Sequence, residues 1–384
     1  MRIAFYAPLK APSHEVPSGD RRIAALYMAA LRLAGHRVDL ASDFRSYDGE
    51  GSPERQRALQ SQGTAIVRDL ASCWRGANAD ARPDLWFTYH VYYKAPDWLG
   101  PRLARELGIP YVIAEASHAP KRANGAWSLG HNAAVQAIQA ANLVISPTRY
   151  DRVCLESLLE ADRIMLLPPF LDREPLAAAA AQRKAQRARL AAEQDLDPDA
   201  AWIAVAAMMR PGDKTASYRE LALVLERIRD LRWHLLVAGA GPSEEEVARM
   251  LHAAAPGRCR MLGALSLEDV AAMYAASDLC IWPACNEAYG MAMLEAQAAG
   301  VPVVSVAHRG VPDVVIDGRT GLLAPRMDPA ILADLARTLL VNPVRRVEMG
   351  RAAAEHVALE RSLPSAARTL ELALQDVLAT SRVN

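Results

Sequence analysis

The chain has 384 residues, which is long enough for two domains of ordinary size, each with its own hydrophobic core. Its 44 lysines and arginines balance its 44 aspartates and glutamates, so there is no net positive charge to attract nucleic acid, and we expect no nucleic-acid partner. The five cysteines are scattered without the spacing of a zinc site or a disulfide framework, which fits a reducing cytoplasm, and no segment approaches the roughly 18 uninterrupted apolar residues of a membrane-spanning helix.

The first part of the sequence alternates short apolar segments with helical patterns. A strand is predicted at "RIAFYA", followed by a helix at "RRIAALYMAALRLAG" with Ser18 or Asp20 as its N-cap and Gly35 as its stop. Further strands are predicted at "DLWFTYH", "PYVIAE", "LVISP" and "IMLLPP". This alternation indicates a parallel sheet covered by helices on both faces, and we assign residues 1–172 to a first domain.

A polar segment then interrupts the alternation. The stretch "FLDREPLAAAAAQRKAQRARLAAEQDLDPDA" is rich in alanine, arginine and glutamine, and residues 173–199 are therefore predicted to be an interdomain linker. The strand–helix alternation resumes after it, so residues 200–355 are predicted to form a second domain. Residues 356–384 are predicted to be a C-terminal helical segment that packs back toward the first domain. The expected fold class is α/β, with two doubly wound parallel-sheet domains.

The segment "NEAYGMAMLEAQAAGVPVVS" has one acid before a predicted helix and another inside it. Glu287 precedes the helix, and Glu295 lies beyond its first turn. Between them, the N–H groups of Gly290, Met291 and Ala292 lack intrahelical acceptors, and with the helix dipole they suit a phosphate. Carboxylates accept hydrogen bonds from hydroxyls, so this layout fits a nucleotide sugar, with Glu295 on the ribose and Glu287 on the sugar. The alternative is a pair of solvated surface acids, because the spacing is common by chance.

This segment resembles the signature of the retaining glycosyltransferases of family 4. The shared features are an acid, the aromatic–glycine pair Tyr289–Gly290, a second acid eight positions after the first, and a Pro-Val-Val strand. The following "GVPDVVIDGRTGLLAP" is similar to the next element of that family. The resemblance implies the GT-B architecture of two Rossmann-like domains facing across a cleft. The chain departs from the family at Ala288, where glycine is usual, and this matters only if the backbone there needs a positive φ.

The resemblance also implies an activity and its residues. The activity is transfer of a sugar from a nucleotide sugar to a glycan or lipid-linked acceptor hydroxyl, with retention of configuration. Arg210 and Lys214 in "AMMRPGDKTASY" match the cations that bind the diphosphate, although their spacing differs from the family's. Gly19 in "PSGDRR" matches a loop at the distal phosphate, with a simple helix-start turn as the alternative. His118 matches a histidine that reaches the transferred sugar, with a structural role as the alternative; His90 would line the acceptor side or the core.

No metal and no cofactor are expected. The sugar donor is a nucleotide sugar that acts as a co-substrate, and its base is left open. Asp195, Asp197 and Asp199 alternate in the predicted linker rather than after a strand, and solvated turn acids explain them. No nucleophilic carboxylate can be named, so we expect the leaving phosphate to accept the proton of the acceptor. The glycines of "VAGAGP" lack the spacing of a dinucleotide fingerprint.

The acceptor side leaves several alternatives open. The stretches "YHVYYKAPDWLGPRLARELG" and "HAPKRANGAWSLG" combine lysine, arginine and tryptophan. This mixture suits peripheral contact with the cytoplasmic face of the inner membrane, and it equally describes ordinary surface loops. A role in polysaccharide or lipopolysaccharide biosynthesis is expected. The rival functions are another GT-B nucleotide-sugar enzyme, such as an epimerase or a phosphorylase, and a non-catalytic protein that binds sugar nucleotides.

Overall fold

The computed structural model describes residues 1–15, 18–76, 78 and 81–381. The chain divides into two compact units, Met1–Pro168 with Leu363–Asn384, and Pro169–Ser362. Each unit has one six-stranded sheet whose strand pairs are parallel in every case. Helices flank both sheets, which confirms the predicted α/β fold with two doubly wound domains.

The first sheet is built from six strands in the order β2-β1-β3-β4-β5-β6. These strands are β1 (Arg2–Tyr6), β2 (Arg37–Ser42), β3 (Leu85–Val91), β4 (Tyr111–Ala116), β5 (Leu143–Ser146) and β6 (Ile164–Leu166). The direction of strand addition reverses between β1 and β3. Such a reversal is a topological switch point, and ligands of open α/β sheets bind outside the carboxyl ends of the strands that flank it.

Among the described residues of the first unit, five α-helices flank the first sheet before the chain enters the second unit. They are α1 (Gly19–Leu33), α2 (Pro53–Arg75), α3 (Gly100–Leu107), α4 (Ser128–Ala140) and α5 (Arg149–Leu155). The N-cap of α1 is Ser18, whose side chain accepts a hydrogen bond from the N–H of Arg21 at 3.2 Å. Asp20, the other predicted cap, therefore has its carboxylate available for another contact. Beneath the helices, the rings of Phe5 and Phe87 stack with their centroids 5.6 Å apart in the core.

The second sheet has the order β12-β11-β10-β7-β8-β9. Its strands are β7 (Ala201–Ala206), β8 (Trp233–Ala238), β9 (Cys259–Gly263), β10 (Leu279–Ile281), β11 (Val303–Val306) and β12 (Gly321–Ala324). Here the order reverses between β7 and β10, so the second unit has its own switch point there. The loops that follow these two strands contain the segments singled out in the sequence.

Residues 173–199, predicted to be a linker, are instead part of the second unit. The helices of this unit are α6 (Glu174–Ala181), α7 (Arg183–Gln194), α8 (Asp213–Arg227), α9 (Glu244–Ala254), α10 (Leu267–Ala276), α11 (Met291–Ala298), α12 (Val311–Val314), α13 (Pro329–Leu340) and α14 (Pro343–Glu360). Both α6 and α7 pack against α10. Leu176, Leu190 and Leu196 are buried in the core of the second unit, and these three leucines explain why a polar-looking segment folds against the sheet layer.

The last helix, α15 (Leu363–Ser381), belongs to the first unit. It packs against α1, and Glu371 places a carboxylate oxygen 2.7 Å from Nε2 of His36. The predicted boundary at residue 356 falls inside α14, which continues to Glu360; residues 382–384 lie outside the described residues. In the described part of the chain, no helix has the length and apolar character needed to cross a membrane.

Candidate functional site

Two loops extend from the strands that flank the second switch point. β7 leads through residues 207–212 into α8, so Arg210 lies in the loop and Lys214 in the first turn of the helix. β10 leads through residues 282–290 into α11, so Glu287 lies in the second loop. Because the two strands are parallel neighbours, their carboxyl ends bring the predicted cations and the first predicted acid to one edge of the sheet.

Lys214 and Glu287 are in direct contact. The Lys214 Nζ donates a hydrogen bond to Oε2 of Glu287 at 2.5 Å, and the indole N–H of Trp282 donates to the same oxygen at 3.4 Å. The Lys214 Nζ also lies 5.5 Å from the centroid of the Trp282 ring. The side chain of Lys214 is 26% exposed, and that of Glu287 is 17% exposed. The pair therefore presents an ammonium and a carboxylate side by side on a shielded but accessible surface.

Two further hydrogen bonds hold the loop of Glu287 on α8. The Asn286 side-chain amide donates to Oδ1 of Asp213 at 2.8 Å, and the backbone N–H of Cys285 donates to Oγ of Ser217 at 2.9 Å. Asn286 and Ala284 have left-handed backbones, with φ of 51° and 58°. Strained residues of this kind persist only where their surroundings determine the conformation. The sequence analysis missed these anchors, because polar residues near the start of a helix ordinarily suggest only a cap.

The start of α11 has the geometry that the sequence predicted. Gly290 precedes the helix with a left-handed φ of 71°, and its carbonyl accepts hydrogen bonds from the N–H groups of Met293 and Leu294 at 3.0 and 3.1 Å. Met291 and Ala292 occupy the first turn, where backbone N–H groups have no intrahelical acceptor. These N–H groups, at the positive end of the helix, favour an anion.

The remaining residues of the signature lie in and around α11. Glu295 is inside the helix and only 5% exposed. It lies close enough to Tyr274 that its charge adds to the effect of burial in raising the pKa of that phenol. Tyr289 is half-buried in the preceding loop. Ala288 is not among the described residues with a positive φ, so the absence of the family's glycine introduces no backbone strain.

Arg210 is held through its backbone rather than its side chain. Its carbonyl accepts hydrogen bonds from the Thr215 hydroxyl at 2.8 Å and from the Thr215 N–H at 3.2 Å. The side chain is exposed, and it takes part in none of the ion pairs among the described residues. Arg210 therefore lies in the loop between β7 and α8, but its guanidinium does not contact the Lys214–Glu287 pair, and its proposed contact with the diphosphate stays a prediction.

The glycines of "VAGAGP" have a structural role that sequence reasoning missed. A Cβ on Gly239 would lie 2.0 Å from the carbonyl oxygen of Ala207, and a Cβ on Gly241 would lie 2.3 Å from that of Met209. The N–H of Met209 donates to the carbonyl of Ala240 at 3.0 Å. These glycines thus allow the loop after β8 to pack directly on the backbone that leads to Arg210. The signal in the sequence was a Gly-x-Gly directly after a strand.

In the first unit, Gly19 and His118 follow β1 and β4. Gly19 is exposed at the start of α1, and a Cβ there would meet nothing within 4 Å, so the fold itself does not require glycine. The Nδ1 of His118 lies 3.2 Å from Oγ of Ser157. Burial, and less strongly the neighbouring His131, lowers the pKa of His118, so its imidazole is neutral near pH 7. The proposed substrate contacts of both residues stay predictions.

His90 lies at the carboxyl end of β3 in a cluster that the sequence analysis did not foresee. Its Nδ1 is 2.9 Å from Oδ1 of Asp20, and its Nε2 is 3.6 Å from Oε1 of Glu115. The side chain is only 16% exposed. Burial alone would lower its pKa, but the carboxylates of Glu115 and Asp20 more than offset this, and the pKa of His90 is raised. Within the described ranges, no group of three or more histidine, cysteine or acidic side chains is arranged to hold a metal ion.

Comparison with known sequences gives a consistent result. Residues 203–342 match the family described as "Glycosyl transferases group 1". A D-inositol 3-phosphate glycosyltransferase of Streptomyces avermitilis is 29% identical over 318 residues, which are 78% of this chain and 66% of the relative. The enzyme of the same name from Corynebacterium efficiens is 38% identical over 141 residues, 35% of this chain and 33% of the relative. The matched part thus spans less than two thirds of each of these two relatives. A third relative, from Streptomyces scabiei, is 26% identical and matches over 97% of this chain and 90% of its own length.

Solved structures share the fold over nearly the whole chain. Sucrose-phosphate synthase from Thermosynechococcus elongatus has a TM-score of 0.70 at 18% identity, covering 99% of both chains. The Anabaena protein HepE in complex with UDP has a TM-score of 0.73 at 14% identity, covering 98% of this chain and 100% of its own. At such low identity the likeness shows the fold alone, which is GT-B.

Proposed function

We propose that the chain is a family 4 glycosyltransferase that transfers a sugar from a nucleoside-diphosphate sugar to an acceptor hydroxyl. The match of residues 203–342 to the glycosyl transferases group 1 and the likeness to the D-inositol 3-phosphate glycosyltransferases support this proposal. The observation that carries this proposal is the Lys214–Glu287 pair at the second switch point, just before the start of α11. An ammonium and free helix N–H groups suit a diphosphate, while a carboxylate suits sugar hydroxyls. Both kinds of group lie at one edge of one sheet.

The second unit supplies the groups that the donor requires. We assign the diphosphate to Lys214, to Arg210 once its exposed side chain turns inward, and to the N–H groups at the start of α11. Glu287 accepts hydrogen bonds from the transferred sugar, and Glu295 with Tyr289 receives the ribose. Negative charge grows on the diphosphate as its bond to the sugar breaks, so fixed donors at that position stabilise the transition state. HepE, a protein of the same fold, is known in complex with UDP-glucose, which makes this donor the first to test.

We propose a metal-independent reaction that retains the configuration of the sugar. The bond between the anomeric carbon and the leaving phosphate oxygen breaks, and the acceptor oxygen bonds to that carbon on the same face. The acceptor proton passes to the departing phosphate oxygen, so no protein nucleophile is needed. A glycosyl–protein adduct trapped and identified by mass spectrometry would contradict this course.

For the acceptor, we propose a polyhydroxylated molecule with an anionic group, such as a phosphorylated cyclitol, a glycan or a lipid-linked sugar. In the first unit, the Lys94 Nζ lies 5.0 Å and the Arg122 guanidinium carbon 5.1 Å from the ring centroid of Trp127. Arg122 also lies 5.3 Å from the ring centroid of Tyr93. Aromatic rings beside cations suit a sugar ring that bears a phosphate. Lipid phosphates share this chemistry, so we place the reaction in the cytoplasm with peripheral contact to the inner membrane.

A screen of nucleotide sugars tests the proposal. Thermal shifts identify the donor, because a ligand that binds only the folded protein raises its stability by mass action. Release of nucleoside diphosphate, followed with and without candidate acceptors, then identifies the reaction. A transferase releases the diphosphate slowly to water and faster with its acceptor. Binding without release indicates a sensor, and an altered sugar that stays attached to its nucleotide indicates an epimerase. Release that requires inorganic phosphate indicates a phosphorylase.

A further inference from the structure

The first unit has a charged cluster at its own switch point. Asp20 lies in the first turn of α1, which follows β1, and His90 lies near the end of β3. Glu115 lies near the end of β4, the next strand along. The imidazole of His90 joins the two acids, with Asp20 at 2.9 Å from Nδ1 and Glu115 at 3.6 Å from Nε2. One histidine therefore connects three elements where ligands of such sheets bind.

The backbone is strained at matching positions of two adjacent strands. His90 has φ of 64° and Glu115 has φ of 61°, both in the left-handed region that side chains with a Cβ avoid. In the ladder between β3 and β4, Tyr89 pairs with Ala114 and Val91 with Ala116. The two strained residues lie between these pairs, directly across from each other. The pairing of β3 with β4 continues on both sides of these two residues. Their left-handed backbones therefore reorient two side chains without ending either strand.

The charged groups that act directly on His90 are acidic, while Lys10 acts on Asp20, and Tyr27 and Tyr89 lie close enough to Glu115 that its charge raises their pKa further. Asp20 comes from α1, Glu115 from β4 and Asp151 from α5, and all three raise the pKa of His90 against the effect of burial. The stacked ring of Tyr92, 4.9 Å away between centroids, adds no charge at neutral pH. His90 in turn contributes to lowering the pKa of Asp20, although burial acts in the opposite direction.

We propose that His90 is a positioning residue whose imidazolium holds Asp20 and Glu115 in the arrangement that turnover requires. A purely structural explanation is weaker, because Ser18 already caps α1 and the pairing of β3 with β4 keeps its register on both sides of the two left-handed residues. The inference rests on the proposed glycosyltransferase activity. Turnover should therefore depend on pH. The imidazolium that bridges Asp20 and Glu115 is fully present below the ordinary histidine pKa of about 6.5. It is lost as the pH rises through the raised pKa of His90.

The test replaces His90 with asparagine. Asparagine tolerates the left-handed backbone better than most residues and carries no charge at any pH, so His90→Asn removes the imidazolium with little added strain. Turnover of the donor found in the screen is measured from pH 6 to pH 9. We expect the variant to be about 10-fold slower at pH 6.5. We also expect the ratio of wild-type to variant turnover to fall toward one as the pH rises.

A matched control uses another histidine–carboxylate pair of the first unit, His36 with Glu371. His36→Asn breaks the contact of His36 with Glu371 on α15, away from the switch point. We expect this variant to lose stability but to keep the wild-type pH profile. Asp20→Asn is expected to reproduce the loss seen in His90→Asn and to lower the pKa of His90, which NMR of histidine-labelled protein measures directly.

The outcomes separate the two proposals. If the wild type turns over a donor and His90→Asn follows the same pH profile at the same rate, the positioning role is wrong while the proposed function stands. The same holds if NMR shows His90 neutral at pH 6.5. If the wild type neither binds nor turns over any nucleotide sugar, the proposed function is wrong, and the inference that rests on it is overturned with it.

Discussion

Removal of one charge from the Lys214–Glu287 pair is the sharpest test of the donor site. The atoms are 2.5 Å apart and the side chains are 26% and 17% exposed. Exposed pairs contribute at most about 1 kcal/mol, and breaking a fully buried pair costs about 3–5 kcal/mol. Glu287→Gln should therefore lower the free energy of unfolding by about 1–2 kcal/mol, between these limits. Its effect on turnover should be larger, a loss on the order of 100-fold, because in the proposed role the amide cannot replace a charged acceptor at the transferred sugar.

The double variant Lys214→Met with Glu287→Gln separates stability from activity. Urea unfolding of both single variants and the double variant gives the coupling energy of the pair. We expect a coupling of about 1 kcal/mol in stability, so the double variant recovers part of what the single variants lose. We expect no recovery of activity, because both the proposed phosphate contact and the proposed sugar contact are then missing. Nucleoside diphosphate release measures turnover in each variant.

Asp230→Asn is the matched control for this prediction. Asp230 pairs with Arg337 in the same unit at the same distance of 2.5 Å, but the two side chains are 61% and 36% exposed. This control should change the midpoint of unfolding less than Glu287→Gln does, and leave turnover unchanged. Turnover within two-fold of the wild type in Glu287→Gln, or an equal loss in the control, would refute the assignment of the pair to the donor.

Further predictions concern neighbouring positions and conditions. Glu295→Gln should weaken nucleotide binding, seen as a smaller thermal shift with UDP, whereas Glu287→Gln mainly lowers kcat. Gly19→Ala should leave the urea midpoint unchanged, because a Cβ there meets nothing within 4 Å, but should raise the KM of the donor. Gly239→Ala should destabilise the second unit by at least about 3 kcal/mol in urea unfolding, because backbone strain and steric overlap act together. Gly257→Ala is its control: the backbone of Gly257 is left-handed, but a Cβ there meets nothing within 4 Å, so the cost should be only about 1 kcal/mol. Turnover should be unchanged in excess EDTA.

Local patterns were sufficient to predict most elements of the fold. Apolar segments bounded by turn residues predicted both sheets, and the helix signals around Ser18 predicted the start of α1. Residues 173–199 could not be assigned in the same way, because alanine and arginine dominate their composition. The burial of Leu176 and Leu190 depends on the helix α10, which packs against α6 and α7 and lies far away in the sequence.

The candidate site was predictable where it rests on one local signature and not where it rests on tertiary contacts. Glu287 and Gly290 could be placed because a strand, a loop and a helix follow one another directly. The contact of Lys214 with Glu287 required the order of strands β7 and β10, which no short pattern encodes. The strained backbones of His90 and Glu115 were equally hidden, because neither residue type usually adopts a left-handed conformation.

The return of α15 to the first unit has a practical consequence. The chain passes from the first unit to the second after Pro168 and back again after Ser362, so neither unit can be separated from the other by a single proteolytic cut. Shortening the protein from its C-terminal end removes the helix that packs on α1 before it reaches the second unit. Fragments meant to isolate one unit must therefore either keep the last helix with residues 1–168 or consist of residues 169–362 alone.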